Sequence, residues 1–189
     1  PTVGLGGQCV ARAGTTAQQK AILPALIEGK LKLAFAQSER GSRYNLAHIT
    51  TRATKSGSGY VLDGEKCVVL HAPSADTFVV SARTSGADTS EKGISLFLVD
   101  RNAPGVTLKT YRTVDNQRAA DVRFSATTVP GTALLGKKGA AFPLLETVVD
   151  YATVLLCSEA VGAIRFANAA TLEYLKTRKQ FGVAIGSFQ

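Results

Sequence analysis

Hydrophobic and polar positions along this chain change period twice, and the changes divide it into three stretches. In 1–30 the pattern is a loop and then a short helix: Gly14-Thr15-Thr16 supplies a cap, and Ala17 to Ile27 predicts a short helix interrupted near Pro24. From 31 to about 130 short alternating runs predict seven strands, at 30–36, 48–55, 60–69, 77–84, 94–99, 106–111 and 120–124. Gly57-Ser58-Gly59 punctuates two of them, and Asp63-Gly64 suits a tight hairpin. No helical period intervenes, which predicts an antiparallel barrel or sandwich. After Pro130 apolar residues recur at three and four, through Leu144, Leu145, Val148, Val149, Ala152, Leu155 and Leu156 to Ile164. That period predicts one helix of ~35–40 residues, ~50–60 Å long, beginning near Pro143. So long an amphipathic helix needs neighbours that 189 residues do not supply, either further helices or a partner subunit.

The segment 31–43 organises the rest. Leu31, Leu33 and Phe35 share one strand face with Lys32 opposite, and the strand ends in Ser38-Glu39-Arg40-Gly41-Ser42. Gly41 suits a positive φ or a close ligand, and Ser42 offers an N–H and a hydroxyl, a combination suited to a phosphate or a sugar. An ordinary exit from strand to loop is the plainer reading of the same residues.

Composition narrows the function classes. An apolar content of 45% is ordinary for a globular protein with a core. No apolar run approaches ~20 residues and no basic-then-apolar leader marks a signal peptide, so neither a membrane span nor a signal peptide is expected in these residues. Cys9, Cys67 and Cys157 lack Cys-x-x-Cys spacing and read as reduced, mostly buried thiols of a cytoplasmic protein. No metal site is expected, because His48 and His71 have no partner spacing that suggests one. The formal charge of +8 favours a phosphate-bearing partner. Its Lys and Arg are dispersed rather than striped, apart from Lys137-Lys138 and the group 176–179, so nucleic acid is not expected. The absence of methionine suggests an internal piece of a longer protein.

Six motifs occur in order: 33–42, Gly59 to Lys66, Ala75-Asp76 to Arg83, Gly93 to Val99, Pro104-Gly105-Val106, and Arg178-Lys179-Gln180-Phe181-Gly182 with Phe188-Gln189. The series resembles the FAD-dependent acyl-CoA dehydrogenase family over nearly the whole chain. Within that family Ser42-Arg43-Tyr44-Asn45-Leu46, 111–115 and 159–163 are most similar to the small subunits of pimeloyl-CoA dehydrogenases and their bacterial relatives. The resemblance implies an α+β fold, a central antiparallel β-barrel or sandwich flanked by helical domains that are only partly present here. On that pattern 1–30 ends an N-terminal helical domain, 31–130 is the middle β-domain, and 131–189 opens a C-terminal helical bundle.

The chemistry implied is α,β-dehydrogenation of an acyl-CoA thioester of the medium-chain or dicarboxyl class. The resemblance places Phe35, Ala36, Gln37, Ser42, Val68, Val69 and Leu70 at the flavin, and Arg178, Phe181 and Gln189 at the ADP half of FAD in a neighbouring subunit. Ser42, Asp150 and Thr153 would line the acyl-CoA. No catalytic residue is expected in the chain, since the family's glutamate base lies beyond the point matching Gln189, and residues 1–189 alone are expected to be inactive. An electron-transferring flavoprotein or similar acceptor, and a homo-oligomer or a heteromer with a large subunit, are the partners implied. A non-catalytic partner that completes a larger subunit's FAD site is the alternative. Members show Thr-Glu-Pro where this chain has Ala36-Gln37-Ser38, and Trp-Ile-Thr where it has Val68-Val69-Leu70.

Overall fold

A computed structural model describes residues 2–188; Gln189, expected at the ADP half of FAD, lies outside them. The chain divides into two compact units, 1–150 and 151–189. In the first unit the N-terminal stretch is helical where its glycines predict a loop. A π-helical turn, Thr2–Gly7, leads into α1, Gln8–Ala13, and α2 follows at Thr16–Ile27. The cap is as expected: Thr15 Oγ1 accepts from Gln18 N–H at 3.2 Å, and Gln18 Oε1 accepts from Thr15 N–H at 2.8 Å. The interruption expected near Pro24 is absent: α2 runs through it, since the proline φ is close to helical and the ring gives up only its own N–H bond.

Eight strands form one sheet: β1 Leu33–Ala36, β2 Arg52–Ser56, β3 Gly59–Leu70, β4 Thr77–Arg83, β5 Ile94–Asp100, β6 Val106–Arg112, β7 Arg118–Val129 and β8 Leu134–Leu135. The order is β6-β7-β3-β2-β4-β5-β8, with β1 also on β4. Two joins depart from the expected antiparallel pattern: β1 runs parallel to β4, and β2 touches β4 in parallel at the single pair Arg52–Arg83. The Asp63-Gly64 hairpin is also overturned. Both residues lie inside β3, which continues to Leu70, and the real hairpin is Gly57-Ser58 between β2 and β3.

The sheet folds over itself. Phe78 and Val80 of β4 and Phe97 and Val99 of β5 share one core with Tyr60, Leu62, Val122 and Phe124 of β3 and β7, and the Tyr60 and Phe97 rings are 5.0 Å apart. The opposite face of β4 and β5, through Val79, Ile94 and Leu96, packs on Cys9, Val10 and Leu26 of the helices. Strand β1 serves both cores, because Leu33 faces the helices while Ala34 and Ala36 face the sheet interior.

The long helix, α3, runs Phe142–Thr177, 36 residues, within the length its period predicts. Leu145 and Val148 anchor its first turns in the helix-side core. In the second unit α3 continues, followed by a small hairpin of β9, Lys179–Gln180, and β10, Val183–Ala184. Val154, Leu156, Ile164 and Phe166 are exposed along it. By length and composition α3 is apolar enough to cross a membrane, against the expectation of no such helix: its charges are spread out, so no single unbroken apolar run marks it.

Candidate functional site

The end of β1 and the end of β3 meet. Cys67 N–H donates to the Ser38 carbonyl at 2.8 Å, which brings 35–42 and 68–70 together. Their exposed rim carries half-buried Phe35 and Leu70, exposed Val68 and the exposed Ser38, while Ala36, Gln37 and Val69 are buried. Gln37 Nε2 donates to the Leu46 carbonyl at 3.3 Å. Ser38 Oγ donates to Gln37 Oε1 at 3.4 Å, so a hydroxyl stands at this strand end.

Beneath the rim lies a charge pair whose two members fall in separate sequence motifs, 33–42 and Gly59 to Lys66, with nothing in either to show that they meet. Lys66, fully buried, donates from Nζ to Glu39 Oε1 at 2.7 Å, Ser81 Oγ at 3.0 Å and the Gln37 carbonyl at 3.2 Å. The other Glu39 oxygen takes the N–H and hydroxyl of Thr50, and Thr51 N–H donates to Oε1 at 3.0 Å. Burial alone would raise the Glu39 carboxyl, but the Lys66 charge and these bonds outweigh it and hold it at about 2. Burial pulls the Lys66 ammonium down to about 8 against the attraction of Glu39. The carboxylate is thus held charged more firmly than the ammonium. The three acceptors around Nζ favour an ionised pair at neutral pH. In the sequence each charge stands next to one of opposite sign, Glu39 before Arg40 and Lys66 after Glu65, so nothing local points to a pair 27 residues apart.

Ser42 sits where expected but is occupied. Its hydroxyl donates to the Glu39 carbonyl at 2.8 Å and accepts from Glu39 N–H at 3.2 Å, and its own N–H donates to that carbonyl at 3.0 Å. These bonds close the turn, as the plainer reading has it. Gly41 is not in the positive-φ region; Arg43 is, at 50°. Gly41 is there for closeness, since a Cβ would stand 3.0 Å from His48 Cε1.

Asp150 and Thr153 are exposed on α3. In the second unit Arg178 is exposed at the helix end, its N–H donating to the Tyr174 carbonyl at 2.9 Å. Phe181 is exposed at φ 51°, its ring 6.3 Å from Phe188. The structure therefore gathers the flavin-ring candidates and Ser42 within the first unit, and Arg178 and Phe181 within the second. All three cysteines are free, but Cys157 is exposed, against the expectation of burial. Burial raises the Cys9 thiol to about 12, which leaves it inert. Among the described residues no group of His, Cys, Asp and Glu converges as a metal site. A cleft of about 470 Å³ lies at the other end of β1, lined by Thr2, Val3, Gly4, Lys32, Leu33, His71, Ser74 and Ala75.

The residue types at the two strand ends suit a flavin: Val68 and Leu70 are apolar and at least partly exposed, Phe35 is half-buried against the helix-side core, Ser38 adds a hydroxyl, and Arg43 is exposed next to Ser42. The buried charges below cancel each other.

Residues 34–127 match the model of the acyl-CoA dehydrogenase middle domain. Acyl-CoA dehydrogenase FadE12 of Mycobacterium tuberculosis is 31% identical over 187 residues, 98% of this chain and 48% of that protein. The crystal structure of an acyl-CoA dehydrogenase from Geobacillus kaustophilus superposes with a TM-score of 0.92 at 31% identity, covering 98% of this chain and 50% of that one. An FAD complex of PigA superposes at 0.89 with 29% identity, over 96% of this chain and 48% of that one. The chain spans about half the length of the curated relatives it matches. With a middle domain of this kind over 34–127 and the same fold beyond it, the chain belongs to the acyl-CoA dehydrogenase family.

Proposed function

We propose that this chain is the flavin-holding part of an FAD-dependent acyl-CoA dehydrogenase, acting on a medium-chain or dicarboxyl acyl-CoA. The carrying observation is the Cys67–Ser38 bond, which sets the two ring-contact segments side by side. Phe35, Val68 and Leu70 cover a ring face, Ser38 bonds its edge, and the Lys66–Glu39 pair keeps the turn 39–42 rigid beneath it. Bound FAD would accept the substrate's β-hydrogen as hydride. The carboxylate that takes the α-proton comes from outside residues 1–189, and Arg178 and Phe181 reach the ADP half across a subunit interface. Asp150 and Thr153 face the acyl chain. The substrate class follows the likeness to pimeloyl-CoA dehydrogenase small subunits. An electron-transferring flavoprotein serves as acceptor, and free cysteines favour the cytoplasm.

A second reading is favoured by Val68-Val69-Leu70, which bring neither an aromatic ring nor a hydroxyl to the rim. On it the chain is a non-catalytic partner that completes a larger subunit's FAD site. The test is the visible spectrum of the purified complete protein, followed by anaerobic addition of an acyl-CoA panel. A flavin band that a medium-chain or dicarboxyl thioester bleaches supports the first reading. A colourless protein that turns yellow only with a larger subunit supports the second, and a protein that remains colourless with that subunit overturns both.

A further inference from the structure

Two irregularities interrupt the long β3–β7 ladder, and an aspartate from the opposite strand closes each. Between Leu62 and Gly64 the register slips so that Ser125 and Ala126 stand opposite Asp63. Ala126 takes φ 48°, and its N–H donates to Asp63 Oδ1 at 2.7 Å. Between Lys66 and Val69 the bulge is on the other strand, with Cys67 and Val68 opposite Asp121. Val68 takes φ 51°, and its N–H is shared between Asp121 Oδ1 at 3.2 Å and the Tyr111 hydroxyl at 3.1 Å. Tyr111 O–H donates to that Asp121 oxygen at 2.8 Å. The other oxygen accepts from Arg40 Nη2 at 2.7 Å.

A bulged residue loses its place in the ladder, and its N–H needs a new partner. A β-branched residue at positive φ is also strained, so something must hold it there. Asp63 and Asp121 answer the same need with the same group. Only the second bulge borders the rim, and only there does Arg40, from the turn after β1, tie the aspartate to the other ring-contact segment. The Asp121 side chain is 12% exposed, so its bonds compete little with water.

We propose that Asp121, assisted by Tyr111 and Arg40, is a positioning residue of the flavin site: it holds Val68 left-handed so that 68–70 lies flat against the ring. The inference rests on the flavin reading above. Asp121 touches no ligand and acts through the Val68 backbone.

The experiment uses the complete protein, stripped of flavin and titrated with FAD, and records the dissociation constant, the flavin absorption band and the unfolding temperature. Asp121→Ala should weaken FAD by about tenfold or more, the scale of a bond to a charged group, and shift the band. Asp63→Ala removes the equivalent cap away from the rim; it should lower the unfolding temperature and leave FAD affinity within about twofold. In a Val68→Gly background, where positive φ carries no steric cost, Asp121→Ala should weaken FAD by no more than about threefold. If Asp121→Ala does not fold, Tyr111→Phe takes its place, with an expected loss of about threefold. Equal effects of the two aspartate variants on FAD, or an undiminished effect of Asp121→Ala in the Val68→Gly background, overturn the proposal while the flavin reading stands. A wild-type protein that takes up no FAD overturns the flavin reading, and this proposal with it.

Discussion

Lys66 and Arg83 are both buried cations, satisfied in opposite ways. Arg83 directs its guanidinium at the carbonyls of Ile49, Ser90, Lys92, Ala47 and Asp88, pinning two loops with neutral acceptors only. Lys66 has a carboxylate partner, and so depends on Glu39 remaining ionised. Replacing Lys66 by Met strands Glu39 as a buried unpaired charge and should cost about 3–5 kcal/mol of stability, whereas the double change with Glu39→Gln should recover most of it. Chemical denaturation of the three variants measures this, and equal losses in the single and double variants would contradict it. The same pair sets an acid limb. The Glu39 folded-state value of about 2 lies below its ordinary 4.5, so its contribution is complete above the unfolded value and is lost as pH falls through the folded one. Stability should drop by about 2–3 kcal/mol between those values, and Glu39→Gln should flatten that part of the profile. Ser42, bonded wholly within its turn, should cost about 1 kcal/mol of stability as Ala, read by the same denaturation.

The strands are legible in the sequence where an apolar run is bounded by turn residues and illegible where a ladder is bent. β4 and β5, buried on both faces, read as short runs dominated by apolar residues and fall within a residue of their expected ends. In β3, Asp63-Gly64 carries the composition of a hairpin yet lies inside a strand, because a turn and a bulge both call for glycine at positive φ and for an aspartate near the backbone. Only the partner strand decides between them, and pairing over sixty residues apart leaves no local trace. The N-terminal turn is hidden for a similar reason. Gly4, Gly6 and Gly7 read as loop but lie in the helical turn, and Gly6 is glycine for closeness, since a Cβ there would stand 2.7 Å from Leu33 Cβ. The site shows the same division: its strand segments are visible in the sequence, while the partners of Lys66 and Tyr111, and Asp121 altogether, are not, because they lie on other segments of the chain. Gly64 offers a test. At φ 147°, with Thr51 Cα 2.7 Å from the place a methyl would take, Gly64→Ala must displace backbone and should destabilise by about 2–4 kcal/mol, where a hairpin turn would lose about 1. Thermal unfolding of the variant distinguishes the two.

At the scale of the whole molecule the two units differ in how they handle apolar surface. The first buries two cores, and its long helix begins inside one of them. In the second unit Val154, Leu155, Leu156, Val161, Ile164 and Phe166 remain exposed, more apolar surface than a monomer ordinarily shows. Against association stands the net charge of +8. The two effects differ in range and size. Charge repulsion is screened beyond ~10 Å at 0.1 M salt, while each large aliphatic side chain taken from water contributes about 1.5–3 kcal/mol. Residues 1–189 by themselves should therefore self-associate at micromolar concentration, more strongly as salt rises. Leu155→Glu with Ile164→Lys should shift them toward monomer without unfolding the sheet. Sedimentation velocity across a salt series measures this, with far-ultraviolet dichroism to check the sheet. Vesicle flotation is the companion measurement, because α3 also has the length and composition of a span. A bilayer core takes only about 20 of its 36 residues, and Glu159 and Arg165 near mid-helix would enter hydrocarbon at a cost of about 2.5–3.5 kcal/mol each, which favours covering by other helices in water. A monomer at all salt concentrations, or a helix that carries the chain into neutral vesicles, would contradict that reading.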